Sequence, residues 1–154
     1  TYAAGLSLKE ENLDAFTQRF LKLAADEIIP EQMTPQIDID AVLDLQDINA
    51  KFMSELKKMN PFGPDNQKPV FCSLGVKDYG TSKLVGKDLE HIKLELIDDK
   101  SNTPIHGIAF GMHQHNTHIK NMKPFNICYT IEENTYNGNT SIQLMIKDIK
   151  PDDI

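Results

Sequence analysis

Two textures of hydrophobic and polar residues divide the chain. Up to about residue 59, apolar residues recur at three- and four-residue intervals: Leu13, Phe16, Phe20, Leu23 and Ile28, then Ile48, Phe52 and Leu56. That spacing predicts two amphipathic helices. The first opens at Ser7, with Glu10 three residues on as a capping box, and stops at Pro30. The second runs from about Leu45 to Met59. Between them, residues 30–36 with Pro30 and Pro35 read as a linker, and the alternation of residues 37–43 reads as a short strand. From Pro61 the pattern changes to short β-type runs near residues 70–78, 82–87, 91–98, 105–111, 125–132 and 140–148, parted by Gly, Asn, Asp and Pro. Ile92, Leu94 and Leu96 alternate with Lys93 and Glu95, as in a half-buried strand, and Asn137-Gly138 marks a hairpin. The polar stretch 112–122 is expected to be a short helix or loop. The predicted fold class is α+β: an N-terminal helical segment followed by a small antiparallel β-barrel. The first helix is apolar on one face and therefore needs a partner surface.

Composition narrows the classes. No apolar run approaches the ~18 residues of a membrane span. The chain opens on Thr1-Tyr2-Ala3-Ala4-Gly5, with neither Met nor a basic leader, which is expected of a piece cut from a longer protein whose chemistry lies upstream. Cys72 and Cys128 each sit in an apolar run and lack CxxC spacing, so buried free thiols in a reducing compartment are expected. The net charge of −7 argues against a strongly nucleic-acid-binding surface, but it is unevenly spread. Residues 60–125 hold 8 Lys against 7 acids, whereas residues 1–59 hold 6 Lys or Arg against 11 acids. Any phosphate affinity rests on a few placed lysines and is salt-sensitive.

Four stretches carry candidate chemistry. Residues 60–71, with Pro61, Gly63, Pro64 and Pro69, form a rigid loop into a strand: either a structural hinge, or a stacking platform if Phe62 or Phe71 is exposed. On a strand His91 and Lys93 share a side, with Lys87 in the preceding turn, and this trio can meet phosphates or be an ordinary solvated face. His113, His115 and His118, with His106 nearby, lack the spacing of a zinc site, so a surface loop is expected and no metal. In the hairpin that includes Asn137, Tyr136 can stack on a base or pack back on its strand. There is no carboxylate–histidine cluster of the two-metal kind, no GxSxG, no P-loop and no HExxH, so no active site is legible.

Read in order, these stretches resemble the C-terminal part of RecJ-type exonucleases of the DHH phosphoesterase superfamily. The resemblance rests on Tyr2-Ala3-Ala4-Gly5-Leu6-Ser7-Leu8 and Glu11-Asn12-Leu13-Asp14-Ala15-Phe16, then Pro61-Phe62-Gly63, Asn66 and Pro69-Val70-Phe71. It continues through Gly86-Lys87, His91-Ile92-Lys93, Ile108-Ala109-Phe110-Gly111, Asn134, Asn137-Gly138, Gln143-Leu144 and Lys147-Asp148-Ile149. It implies that residues 1–34 end a DHH-associated domain and that residues 35–154 form an OB-like nucleic-acid-binding domain with a leading strand and helix. It further implies a parent enzyme that degrades single-stranded DNA from the 5′ end with Mn²⁺ or Mg²⁺, in cytoplasmic repair and recombination. The metal ligands would lie upstream of Thr1, and this piece would guide the strand through Lys87, His91 and Lys93, with Tyr136, Asn137 and Phe62 as further contacts. The implied partners are single-stranded DNA, the upstream DHH domain and a single-strand-binding protein; the alternative role is a bracing or protein-docking barrel without DNA contact. The chain departs from the family at Asp65, where glycine is usual, at Gln67, where proline is frequent, and at Tyr136, where tryptophan is common. Asp65 would repel phosphate, and Tyr136 would stack less strongly than tryptophan.

Overall fold

A computed structural model describes residues 4–29 and 33–152. It divides into two compact units, residues 1–37 and 38–154. In the first unit a 3-10 turn, Glu10–Asn12, leads into helix α1, Leu13–Glu27. The expected capping box does not form. Lys9 is the extended residue before the turn (φ −73°, ψ 145°), so Ser7 lies two residues too early, and no side chain caps either start. Phe16 and Phe20 stack at 5.8 Å on the apolar face, yet no residue of α1 is buried. Pro30, the expected stop, lies outside the described residues, as does the start of the expected linker.

The second unit begins with strand β1, Ala41–Val42, parallel to β2, Phe71–Asp78. The alternation over 37–43 yields only these two paired residues, because Asp40 takes another role. Its amide donates to the Val70 carbonyl, and its carboxylate accepts the Val70 N–H, both at 2.8 Å. The expected helix 45–59 is split into a 3-10 turn, Leu45–Asp47, and helix α2, Ala50–Lys57. Asn49 breaks it: extended at φ −130°, it caps α2 by accepting the Lys51 and Phe52 N–H groups at 3.0 and 3.1 Å. Beyond α2 the proline-rich loop is tied by Asn66, whose amide donates to the carbonyls of Met59 and Pro61 at 2.8 and 2.9 Å.

The remaining strands are β3 (Lys83–Val85), β4 (His91–Ile97), β5 (Ile105–Ala109), β6 (Phe125–Tyr136) and β7 (Asn139–Pro151). A short helix α3, Asn116–Lys120, sits between β5 and β6 within the stretch predicted as helix or loop. The sheet order is β1-β2-β6-β7-β5-β4-β3, and β2 also pairs with β4 through Lys77 and Asp78. β2 thus touches both β6 and β4, and the sheet curls around its core as an OB-like fold. The expectation of an antiparallel sheet needs one amendment: the sheet is mixed, since β1–β2 and β5–β7 are parallel. The Asn137-Gly138 hairpin forms as expected, with φ of 48° and 78°, the two positive values a type I′ turn requires.

Alternation decides what is buried. Ile92, Leu94 and Leu96 of β4 are fully enclosed with Val76, Phe125, Tyr129 and Leu144, and Leu45, Ile48, Met53 and Leu56 belong to the same cluster. The buried polar groups of Ser73 and Tyr129 are paired with each other. Ser73 donates to the Leu43 carbonyl at 2.7 Å, so the Tyr129 hydroxyl, also at 2.7 Å, donates to Ser73. Cys72 and Cys128 face each other across β2 and β6 as free thiols, and burial raises both, Cys128 to about 11 with Cys72 adding to the effect.

Candidate nucleic-acid interface

The outward side of the β3-β4-β5-β7 strip is set by the same alternation that builds the core. On β4 it carries His91, Lys93 and Glu95; register places Lys83 of β3 and Ile108 of β5 opposite Lys93. His106 of β5 stands opposite Glu95 and pairs with Gln143 of β7, while Met145 pairs with Ile108. Lys147 follows Ile146, the β7 partner of Ala109, and is exposed. Where β6 and β7 extend past the sheet, a groove of about 410 Å³ opens, lined by Lys93, His106, Asn134, Tyr136, Asn139, Ser141 and Gln143.

The lysines of the 38–154 unit are paired with acids in some places and unpaired in others, the strip as well as Lys51, Lys123 and Lys150 belonging to the unpaired set among the described residues. Lys57, Lys77 and Lys100 are neutralised by Glu133, Asp99 and Asp44 at 2.7, 3.1 and 2.8 Å. Lys83, Lys87, Lys93 and Lys147 make no ion pair among the described residues. Glu95, the acid on the outward side of β4, accepts a hydrogen bond from Thr81 and lies 3.6 Å from His106.

The sequence-derived residues are thus only partly brought together. Lys93 and Tyr136 line one groove, Tyr136 being 73% exposed, and Asn137 sits at the tip of the adjoining hairpin. Lys87 is exposed in the turn after β3. That turn is built on Gly86 (φ 97°), where a Cβ would lie 2.7 Å from the Glu90 carboxylate. Glu90 folds back over the turn and accepts the Asp88 N–H at 3.0 Å; its own amide, then Asp88, holds its carboxyl below the usual range. His91 is differently employed. Its Nδ1 accepts the Gly111 N–H at 3.0 Å and its Nε2 lies 3.3 Å from Glu90, so neither ring nitrogen is open to a phosphate. Phe62 is half-buried in a separate cavity of about 280 Å³ with Met53, Leu56 and Ile131, and Phe71 is buried, so neither is an exposed stacking platform on this strip. Asp65 lies exposed in the turn closed by the Gly63–Asn66 pair.

Sequence reasoning missed Lys83 and Phe110. Lys83 is found only through the β3–β4 register. Phe110, 55% exposed, was legible in principle as the next outward position after His106 and Ile108. Among the described residues no group of His, Cys, Asp and Glu could hold a metal. His118 instead lies 3.2 Å from the Pro124 carbonyl and edge-on to Phe125.

Fold and surface together define an OB-like domain with a strand face of unpaired lysines and exposed aromatics. A family model described as the RecJ OB domain matches residues 39–148, and the chain belongs to that family. It is 26% identical to the single-stranded-DNA-specific exonuclease RecJ of Haemophilus influenzae over 98% of this chain and 26% of that protein. Against the RecJ proteins of Escherichia coli and Bacillus subtilis the identities are 26% and 27%, over 97% and 95% of this chain and 25% and 18% of theirs. The chain thus spans about a quarter or less of the length of these relatives. The crystal structure of RecJ in complex with Mn²⁺ from Thermus thermophilus shares the fold, with a TM-score of 0.73 at 17% identity over 97% of this chain and 20% of that one.

Proposed function

We propose that the 38–154 unit is the single-strand-binding module of a RecJ-type exonuclease, and that it guides DNA rather than cutting it. The observation that carries this reading is the strand face on which Lys83 and Lys93 stand opposed without acidic partners among the described residues, beside the groove that holds Tyr136. Single-strand binders of this fold combine cations that track phosphates with aromatic rings that stack on bases. Lys83, Lys87, Lys93 and Lys147 would meet phosphates, Tyr136 would stack, and Asn137 would present the hairpin tip. His91 serves by position rather than by charge. Residues 1–34 would close a DHH-associated domain, and the relatives' names support a parent that acts on single-stranded DNA. Solved RecJ structures with Mg²⁺ or Mn²⁺ support a divalent cation in the upstream catalytic domain of that parent. Repair and recombination in the cytoplasm, degradation from the 5′ end and a single-strand-binding protein as partner belong to the same reading.

The test is a titration of a dye-labelled oligonucleotide at low salt, followed by anisotropy. Binding should weaken as salt rises, with a slope in log K against log salt of about −0.7 per phosphate met. Lys93→Glu should lower both affinity and slope. If neither this chain nor a version joined to its upstream domain binds, the reading falls and the bracing or docking role stands in its place.

A further inference from the structure

Phe110 is treated differently from the aromatics that the sheet encloses. Phe71, Phe125 and Tyr129 are enclosed, but Phe110 is 55% exposed on the outward strip. It is not loosely held. The His91 imidazole meets it edge-on, ring centroids 4.9 Å apart at 80°. That imidazole is fixed from both sides, by the Gly111 N–H on Nδ1 and by Glu90 facing Nε2. Glu90 is in turn held by Asp88 over the turn at Gly86. The chain of contacts Asp88–Glu90–His91 therefore orients a phenyl ring that still presents more than half its surface to solvent. Tyr136, also exposed on the strip, makes no ring contact among the described residues.

The surroundings of Phe110 say what such a ring would meet. Lys93 lies two residues beyond His91 on the same side of β4, Lys87 lies in the turn before it, and Lys147 follows the β7 partner of Ala109. Half-buried Ile108 and Met145 form an apolar floor beside them. A rigid aromatic among unpaired cations suits a nucleobase with its phosphates on either side. We propose that Phe110 is a base-stacking residue of this interface and that His91 is its positioning residue. The inference rests on the single-strand-binding reading above and adds a second stacking position to Tyr136.

The chain contains no tryptophan, so Phe110→Trp introduces a single tryptophan at the proposed contact, excited selectively beyond the absorption of the 4 tyrosines. Its emission is followed while the 154-residue chain is titrated at low salt with oligo(dT), or with an abasic oligonucleotide of equal length, and affinity is read separately from anisotropy. Oligo(dT) should quench the tryptophan, and the abasic strand, with the same phosphates, should not. In the parent sequence Phe110→Ala should weaken oligo(dT) binding about tenfold without changing the salt slope, because stacking releases no counterions. Lys93→Glu should lower that slope. His91→Ala in the Phe110→Trp background should diminish the quench and leave both slope and β-sheet circular dichroism intact. Oligo(dT) binding with a Lys93-dependent slope, but with no quench and no loss in Phe110→Ala, overturns the Phe110 assignment and leaves the binding reading standing. An undiminished quench in the His91→Ala variant removes the positioning role. No binding of oligo(dT), either by the unsubstituted chain or by a version joined to its upstream domain, removes both the inference and the reading beneath it.

Discussion

Lys83 stands directly opposite Lys93 in the antiparallel β3–β4 pair, and neither has an acidic partner among the described residues. Opposed residues on one sheet face hold their Cβ atoms about 5 Å apart, and like charges there repel. The arrangement weakens the fold locally and concentrates positive charge on the strip where phosphates would lie. Lys83→Glu should therefore act oppositely on stability and binding. It replaces repulsion by a cross-strand ion pair, which should raise stability by roughly 0.2–1 kcal/mol. It also removes a cation from the strip and pairs off Lys93, so single-strand affinity should fall. Urea unfolding and oligonucleotide anisotropy on the same preparation measure the two effects. A variant that loses stability and keeps its affinity would count against the strip as the interface.

Asn49 separates two helical pieces that the sequence pattern runs together. Its side chain accepts the amides of Lys51 and Phe52, satisfying two of the donors that a helix start leaves open. Asn49→Ala should destabilise the domain by about 1 kcal/mol, and Asn49→Asp should retain most of the cap. The midpoint of denaturant unfolding, at unchanged slope, reads this directly.

Lys83 and Asn49 illustrate what was and was not legible in the sequence. Within-strand alternation is a local signal, so the outward placement of His91 and Lys93 and the burial of Ile92, Leu94 and Leu96 follow from the sequence alone. The Asn137-Gly138 turn is equally local, and it forms as read. Register between strands is not local. Nothing in the run Lys83-Leu84-Val85 says that Lys83 will oppose Lys93 rather than His91, nor that β5 will pair in parallel with β7. His91 shows the same limit in chemistry. Its spacing from Lys93 reads as a phosphate contact, but its two nitrogens are taken by Gly111, twenty residues away, and by Glu90. Asn49 was missed for a different reason: a single polar residue interrupts an apolar period too briefly to be seen as a cap.

Gly86 holds the turn that presents Lys87. Its φ of 97° lies where side chains rarely go, and a Cβ there would meet the Glu90 carboxylate at 2.7 Å. Gly86→Ala should cost about 1–3 kcal/mol through backbone strain. The added methyl should also push Glu90 away from Asp88 and His91. Hydrogen exchange should then rise at the Asp88 and Gly111 amides, which give their protons to Glu90 and His91. A Glu90→Ala, Gly86→Ala double variant should lose less than the sum of the two, because the clash disappears with the carboxylate.

Asp78 contributes to the pH dependence of stability, as one of the carboxyls held below the ordinary range. It is enclosed at the end of β2, where its Oδ1 accepts the Ser82 N–H at 3.1 Å and its Oδ2 lies 3.5 Å from the Lys120 ammonium. Burial by itself would push the carboxyl up, but hydrogen bonds from Ser82 and Gly80, with Lys120, outweigh it and hold the group below its ordinary value. The folded state therefore binds this proton less readily than the unfolded chain, whose aspartates titrate near ~3.9. The stability contributed by Asp78 is fully present above that pH and is lost as pH falls through the lowered folded value. Asp78→Asn should cost about 1–2 kcal/mol at pH 7, since an amide turns a donor toward Lys120. It should also flatten the loss of stability between about pH 4 and lower values. Urea midpoints of both proteins across that range test the assignment, and parallel pH profiles would show that the acid sensitivity arises elsewhere.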